Sequence, residues 1–100
     1  MEIITKVSDI TIDAVREYAN LGDLDTSEQN LITSYIGIAK RYIKSYTGLD
    51  DEGMDEYQDL VIVALILIQD MWDNRSLYVD STNINRVCQS ILDLHSINLL

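Results

Sequence analysis

A single unbroken run of apolar residues dominates the hydrophobic pattern of the chain. Leu60 to Ile68 are nine apolar residues in succession, with polar residues on either side. The run is longer than a typical strand and much shorter than the roughly 20 residues that a membrane-spanning helix needs. Met71 and Trp72 continue the pattern at helical spacing. We therefore predict a central helix over about residues 55–74, which other helices or a neighbouring subunit must cover on every side.

Three further helices follow from the spacing of apolar residues on either side of this run. The segments are residues 11–20, 26–46 and 82–95, each with apolar side chains three and four residues apart. Asp25 and Glu28 form a capping-box pattern at the start of the second segment. The absence of proline and the presence of only four glycines argue against a β-sandwich. We expect an all-α fold, a small four-helix bundle in one domain, preceded by a short extended N-terminal segment.

Turn and capping residues predict where these helices begin and end. Gly22 is expected to close the first helix in a left-handed conformation, and Thr47-Gly48 to stop the second. Asp80 or Ser81 is expected to cap the last helix. The central helix is expected to begin within the acidic stretch that precedes the apolar run.

Few residues offer candidate chemistry. Cys88 and His95 are the only cysteine and the only histidine, and two helical turns would hold them about 10 Å apart, which does not support a nucleophile–base pair. We expect Cys88 to be a small core residue and His95 to mark a fraying helix end. Neither a catalytic activity nor a cofactor is expected. The residues assigned to the core are Tyr42, Leu65, Ile68 and Trp72.

The charge balance restricts the partners that the chain can bind. Its 17 acidic and 7 basic residues give a formal net charge of −10. This charge argues against a protein that binds nucleic acid by neutralising phosphates, and against docking on an anionic membrane. It is compatible with a protein that sits beside DNA without holding it, with a mimic of DNA, or with ordinary solubility. The single cysteine and the lack of a signal-peptide pattern indicate a reduced, intracellular protein.

Six acids and no base lie between Asp50 and Asp59. Their spacing does not follow the calcium-binding loop of an EF-hand, so no metal site is predicted. The stretch is either a solvated loop leading into the first turn of the next helix or a negative surface that faces a partner or a channel. The residues assigned to such a surface are Asp50, Asp51, Glu52, Asp55 and Glu56.

A set of residues in the second and the central predicted helices follows a distinctive order: Ala39, Tyr42, Ile43, Tyr46, Thr47, Gly48, Ala64, Leu65, Leu67, Trp72, Asp73, Asn74 and Arg75. This order resembles the small head–tail connector proteins of tailed phages, also called adaptor, head-completion or DNA-packaging proteins. The resemblance covers about residues 11–95. In the family an aromatic residue is usually followed by Glu-Asn-Arg, often with a tyrosine before the glutamate, whereas here the acidic residue directly follows the tryptophan. The prolines that the family often has before its last two helices are also absent.

The resemblance implies a helical bundle without catalysis, of which about a dozen copies form a closed ring beneath the portal of the capsid. The ring would extend the channel through which DNA passes, without specific DNA binding, and would receive the stopper or tail-completion protein below. The chain would be made in the host cytoplasm and would end at the head–tail junction of the virion. Some of the acidic surface would then face the lumen or the outer rim.

Basic and apolar residues are assigned to contacts within the ring and with the portal. The cations near the end of the second helix would pair with the acidic loop of a neighbour, each pair contributing only about 0–1 kcal/mol. The last helix and the apolar tail that follows it are expected to dock on the portal. The assigned residues are Lys40, Arg41, Lys44, Arg75, Ile91, Leu94, Ile97, Leu99 and Leu100.

Two other functions fit the same composition. An acidic inhibitor that mimics DNA would spread its carboxylates at phosphate-like spacing along one face. A helical regulatory or protein-interaction module with no phage role would be a stable monomer or dimer. The size of the purified protein and its binding to a portal protein distinguish these alternatives from a connector.

Overall fold

The computed structural model describes residues 4–97, and the regular secondary structure of this part is entirely helical. A short 3₁₀ turn, Val7–Asp9, precedes the α-helices. Four of the five α-helices form the bundle that the apolar spacing predicts, which confirms the all-α fold. The helices are α1 (Ile12–Ala19), α2 (Thr26–Thr47), α3 (Asp51–Asp55), α4 (Asp59–Asn74) and α5 (Arg86–His95).

The predicted extended segment at the N-terminus lies partly outside the described residues, because its first three positions are not among them. Of the remainder, Lys6 has an extended backbone with φ −127° and ψ 138°. None of residues 4–6 forms a strand.

The capping residues of α2 behave as predicted. The Asp25 carboxylate accepts a hydrogen bond from the Glu28 backbone N–H at 2.8 Å, and the Glu28 carboxylate accepts one from the Asp25 N–H at 3.1 Å. Gly48 closes the helix with φ 76°. The prediction for α1 is wrong by two residues, because Asn20 takes the left-handed position (φ 55°) and Gly22 adopts positive φ later in the turn. A short polar side chain such as that of asparagine tolerates this conformation.

The acidic stretch forms a separate short helix instead of the first turns of the central one, so the predicted start near residue 55 is wrong. The Asp50 side chain caps α3 by accepting a hydrogen bond from the Gly53 N–H at 2.7 Å. This turn buries Met54 in the core, and the chain then bends before α4 begins at Asp59. A local acid cap therefore starts a new helix here.

The last helix also begins later than predicted. Asn85 caps α5, with its side-chain oxygen accepting a hydrogen bond from the Val87 N–H at 2.8 Å. Asp80, one of the two predicted caps, instead accepts hydrogen bonds from the backbone and hydroxyl of Thr82 and from the Asn83 amide. Its carboxylate therefore organises the connector between α4 and α5.

Helix α4 is the centre of the bundle and packs against α1, α2 and α5. Leu60, Val63 and Ile68 are fully buried, whereas Ile62 on the opposite side is 50% exposed. The other helices therefore cover most of this apolar helix and leave one narrow side open. Among the predicted core residues, Ile68 is buried at the centre, and three pack against the core while partly exposed: Tyr42, Leu65 and Trp72.

None of the described helices is both long enough and apolar enough to cross a membrane.

Candidate interaction surfaces

Residues 50–56, here called the acidic segment, are held against the N-terminal turn of the chain. The carboxylate of Asp55 accepts hydrogen bonds from the backbone N–H of Ser8 at 3.0 Å and from its hydroxyl at 2.6 Å. These two hydrogen bonds favour the ionised carboxylate and keep the pKa of Asp55 below its ordinary value. With Asp50 capping α3, two of the five acids assigned to a functional surface therefore accept hydrogen bonds within the chain.

The remaining acids of the segment are exposed at the surface. Asp51 lies 3.5 Å from the Lys44 ammonium, and both side chains are well exposed, so the pair contributes about 0–1 kcal/mol. Glu52 and Glu56 are exposed, and neither has an ion-pair partner within residues 4–97. These two are the acids of the segment that remain open to a macromolecule.

The cations assigned to a neighbour's acidic loop lie close to the acidic segment of their own chain. Lys44 forms the ion pair just described, and Lys40 lines a small cavity together with Ser8 and Asp55. Arg41 is exposed and has no ion pair among the described residues. Of the three, Arg41 is therefore the most available for a contact between copies.

Arg75 ends α4 and is occupied by an aromatic partner of its own chain. It takes the left-handed position after the helix (φ 51°), and its guanidinium lies 3.9 Å from the centroid of the Trp72 ring. This cation–π contact covers part of the partly exposed indole. Arg75 is one of the residues predicted for contacts in the ring or with the portal, and here it contacts its own chain.

Helix α5 has two adjacent apolar faces. Cys88 and Leu92 are fully buried against the bundle, whereas Val87 is 58% and Leu94 is 74% exposed. Ile91 lies between the two faces and is half-buried. We call Val87, Ile91 and Leu94, which recur at four- and three-residue spacing, the α5 stripe. The stripe contains two of the predicted interface residues, Ile91 and Leu94.

Exposed or partly exposed apolar side chains also lie outside α5. On α4, Ile62 and Ile66 share a flank with Asp59 by their three- and seven-residue spacing, and Asp59 is bonded to α5. Ile97, also predicted for the interface, is exposed directly after the helix. Two further predicted interface residues, Leu99 and Leu100, lie outside the described residues.

Hydrogen bonds attach the C-terminal end of α5 to the bundle, and the sequence patterns did not predict them. His95 is largely buried and binds the Asp59 carboxylate, so it does not mark a fraying end. The Tyr46 hydroxyl donates to the Asp93 carboxylate, and the Ile97 N–H donates to the Thr47 carbonyl at 2.7 Å. The only sequence signals for these links are an acid at a helix start and a histidine at a helix end, which do not identify the partner.

The chemistry of Cys88 is that of a core residue, as predicted. Burial, together with the negative charge of Asp70, raises the pKa of the Cys88 thiol to about 11. The thiol is therefore protonated at neutral pH. Within residues 4–97, no group of three or more histidine, cysteine, aspartate or glutamate side chains has an arrangement suited to a metal ion.

Comparisons of the chain with protein-family models, with curated proteins and with solved structures give no match. Two surfaces therefore carry the functional argument. One is the α5 stripe, and the other is the open part of the acidic segment.

Proposed function

We propose that the chain is a structural subunit of a phage head–tail connector. Several copies would form a ring under the portal protein, extend the DNA channel and receive the stopper or tail-completion protein. The observation that carries this proposal is the α5 stripe, because a helix that buries one apolar face and exposes a second one is typical of a protein-binding surface. The resemblance of α2 and α4 to connector proteins supplies the identity of the partner.

The charge distribution supports the same proposal. Residues 50–100 contain ten acidic and two basic residues, so this half of the chain carries −8 of the formal charge of −10. Carboxylates repel phosphates and release no counterions to DNA, so DNA slides past such a wall without being bound. We assign Glu52 and Glu56 to the lumen or the rim of the channel, because both are open to solvent.

Contacts between copies in the ring would combine apolar and charged residues. The exposed flank of α4 around Ile62 offers apolar area, and Arg41 offers an exposed cation for an acid of the next subunit. An exposed pair of this kind contributes about 0–1 kcal/mol and sets the register, while apolar burial drives the assembly.

The test is binding to the portal protein of the same virus. We expect the purified chain to comigrate with assembled portal rings in size-exclusion chromatography, and Leu94→Glu to weaken this binding. Asn30→Glu adds the same charge at an exposed position of α2 and serves as the matched control. If the wild-type chain stays unbound at about 100 µM, far above the dissociation constant of a stable complex, the connector proposal is wrong.

A helical interaction module with no phage role is the second candidate, and the α5 stripe favours it as well. Such a module would bind a different protein through the same face and would ignore the portal. The DNA-mimic alternative needs a row of open carboxylates, whereas Asp50 and Asp55 have partners within the chain. Portal binding therefore decides between the first two candidates.

A further inference from the structure

Two opposite charges flank the α5 stripe on one side of the helix. Arg86 and Asp93 are seven residues apart, which is two helical turns, so they share a side of α5 near its two ends. Arg86 is exposed and has no ion-pair partner among residues 4–97. Asp93 is exposed as well, and its carboxylate accepts a hydrogen bond from Tyr46. When α5 of a second copy runs antiparallel to the first, the two stripes can therefore face each other. Arg86 of each copy then lies near Asp93 of the other.

We propose that α5 pairs antiparallel with α5 of a second copy of the chain and forms a two-fold dimer. In this arrangement Ile91 of each copy lies near the two-fold axis, and Val87 packs beside Leu94 of the partner copy. Arg86 lies along the same edge as Asp93 of the partner copy. Because the contact is two-fold, the Val87–Leu94 and Arg86–Asp93 pairings each occur twice.

The size of the surface makes the dimer weak and transient. A helix of ten residues that pairs with itself buries less than the roughly 1,200 Å² of a stable interface, even with Ile62 contributing from α4. The strong net negative charge of each copy opposes association, so the two Arg86–Asp93 pairs matter more here than on a neutral protein.

This inference does not rest on the connector proposal, because it concerns the purified chain in the absence of a portal. It adds a consequence for that proposal. Self-pairing would cover the apolar stripe of free subunits until a partner with higher affinity replaces the second copy.

The experiment is sedimentation equilibrium on the purified full chain over a concentration series up to about 1 mM. We expect the mass to rise from the monomer value of 11.4 kDa towards twice that value. Leu94→Glu should weaken the dimer roughly tenfold or more, because it puts a charge into the apolar contact with Val87 of the partner copy, and does so twice. Asn30→Glu, which adds the same charge at an exposed position of α2, should dimerise like the wild type. Leu94 is largely exposed in the monomer, so this variant retains the fold.

A charge reversal tests the antiparallel arrangement itself. Arg86→Glu should weaken the dimer, and Arg86→Glu combined with Asp93→Arg should restore it, with circular dichroism checking that loss of the Tyr46 bond leaves the helices intact. If the double variant unfolds, the comparison of Leu94→Glu with Asn30→Glu decides alone. A wild-type chain that stays monomeric at about 1 mM overturns the dimer, as does a dimer that Leu94→Glu leaves unchanged. Formation of a large ring in place of a dimer would overturn this inference while supporting the connector.

Discussion

The Nε2 atom of His95 lies 2.8 and 2.9 Å from the two carboxylate oxygens of Asp59, so one side-chain pair joins the last residue of α5 to the first residue of α4. The Tyr57 ring stacks on the same imidazole with 4.0 Å between centroids. A carboxylate at a helix start interacts favourably with the positive end of the helix dipole. The helix that exposes the α5 stripe is thus anchored at its C-terminal end.

We expect this pair to contribute measurably to stability. His95→Gln and Asp59→Asn should each lower the free energy of unfolding by about 1 kcal/mol, because each breaks the same partly buried hydrogen bond. The double variant should lose less than the sum of the two single losses, since the partners interact directly. Urea unfolding of all four proteins measures the coupling. Glu52→Gln, at an exposed acid, is the control and should stay within about 0.5 kcal/mol of wild type, whereas strictly additive losses would contradict a direct pair.

The Ser8–Asp55 contact predicts a dependence of stability on pH. Hydrogen bonds from Ser8 lower the pKa of Asp55 in the folded chain from the ordinary value of 3.8. The stabilisation is therefore present above pH 3.8 and is lost as the pH falls through the lower folded-state pKa. Ser8→Ala removes the hydroxyl donor and should lower the free energy of unfolding by about 1 kcal/mol at neutral pH, with a smaller loss in acid.

Urea unfolding of wild type and Ser8→Ala at neutral pH and below pH 3.8 tests this expectation. Ser27→Ala, at an exposed serine of α2, is the matched control. A loss in Ser8→Ala that is the same at both pH values would show that the hydroxyl acts through packing and not through the charge of Asp55.

The Asp59–His95 and Ser8–Asp55 contacts also show which parts of the structure cannot be predicted from local sequence patterns. The apolar run from Leu60 to Ile68 and the Asp25 capping box predict α4 and α2, because helical periodicity and caps depend on residues within one or two turns. Asp59–His95 and Ser8–Asp55 join residues 36 and 47 positions apart. Such pairings follow from how the helices pack, and no spacing in the chain identifies them.

The helix boundaries that were predicted wrongly have a related cause. Asp50, Asp80 and Asn85 are all acceptable caps by residue type, and only the fold decides which of them begins a helix. The spacing of apolar residues predicts that Val87, Ile91 and Leu94 share a face of α5. It does not predict that this face is exposed, because Leu92 and Leu94 are residues of the same type. One is fully buried and the other is largely exposed because α5 packs against the bundle on one side only.

Cys88 predicts a second effect of pH, in the alkaline range. Burial and the charge of Asp70 raise the pKa of the thiol from 9.0 to about 11 in the folded chain. The folded state therefore holds the proton more tightly, and stability that is fully present below pH 9.0 is lost as the pH rises towards about 11. Cys88→Ala should remove this part of the decline, while its smaller side chain lowers stability by a constant amount at every pH.

Thermal unfolding of wild type and Cys88→Ala between neutral pH and about pH 11 measures the two slopes. A tyrosine whose pKa is raised by burial alone, such as Tyr42, contributes equally to both proteins and cancels in the comparison. Tyr18 does not cancel fully, because the charge of Cys88 is one of the causes that raise its pKa. Parallel profiles for the two proteins would show that the thiol is accessible to solvent in the folded chain and would contradict the burial of Cys88.

The open carboxylates of the acidic segment provide a test of the proposed channel. Glu52→Lys combined with Glu56→Lys should leave the fold intact, because both side chains are exposed and neither has an ion pair among the described residues. If these positions face the lumen, the new cations should bind phosphates and slow DNA passage, because each contact with a phosphate releases counterions. Infectivity and DNA ejection of particles assembled with the variant measure this effect.

Glu17→Lys combined with Asp23→Lys makes the same change in charge at exposed sites outside the segment and should leave passage normal. Normal ejection in the first variant, or an equal defect in both, would remove the acidic segment from the channel wall.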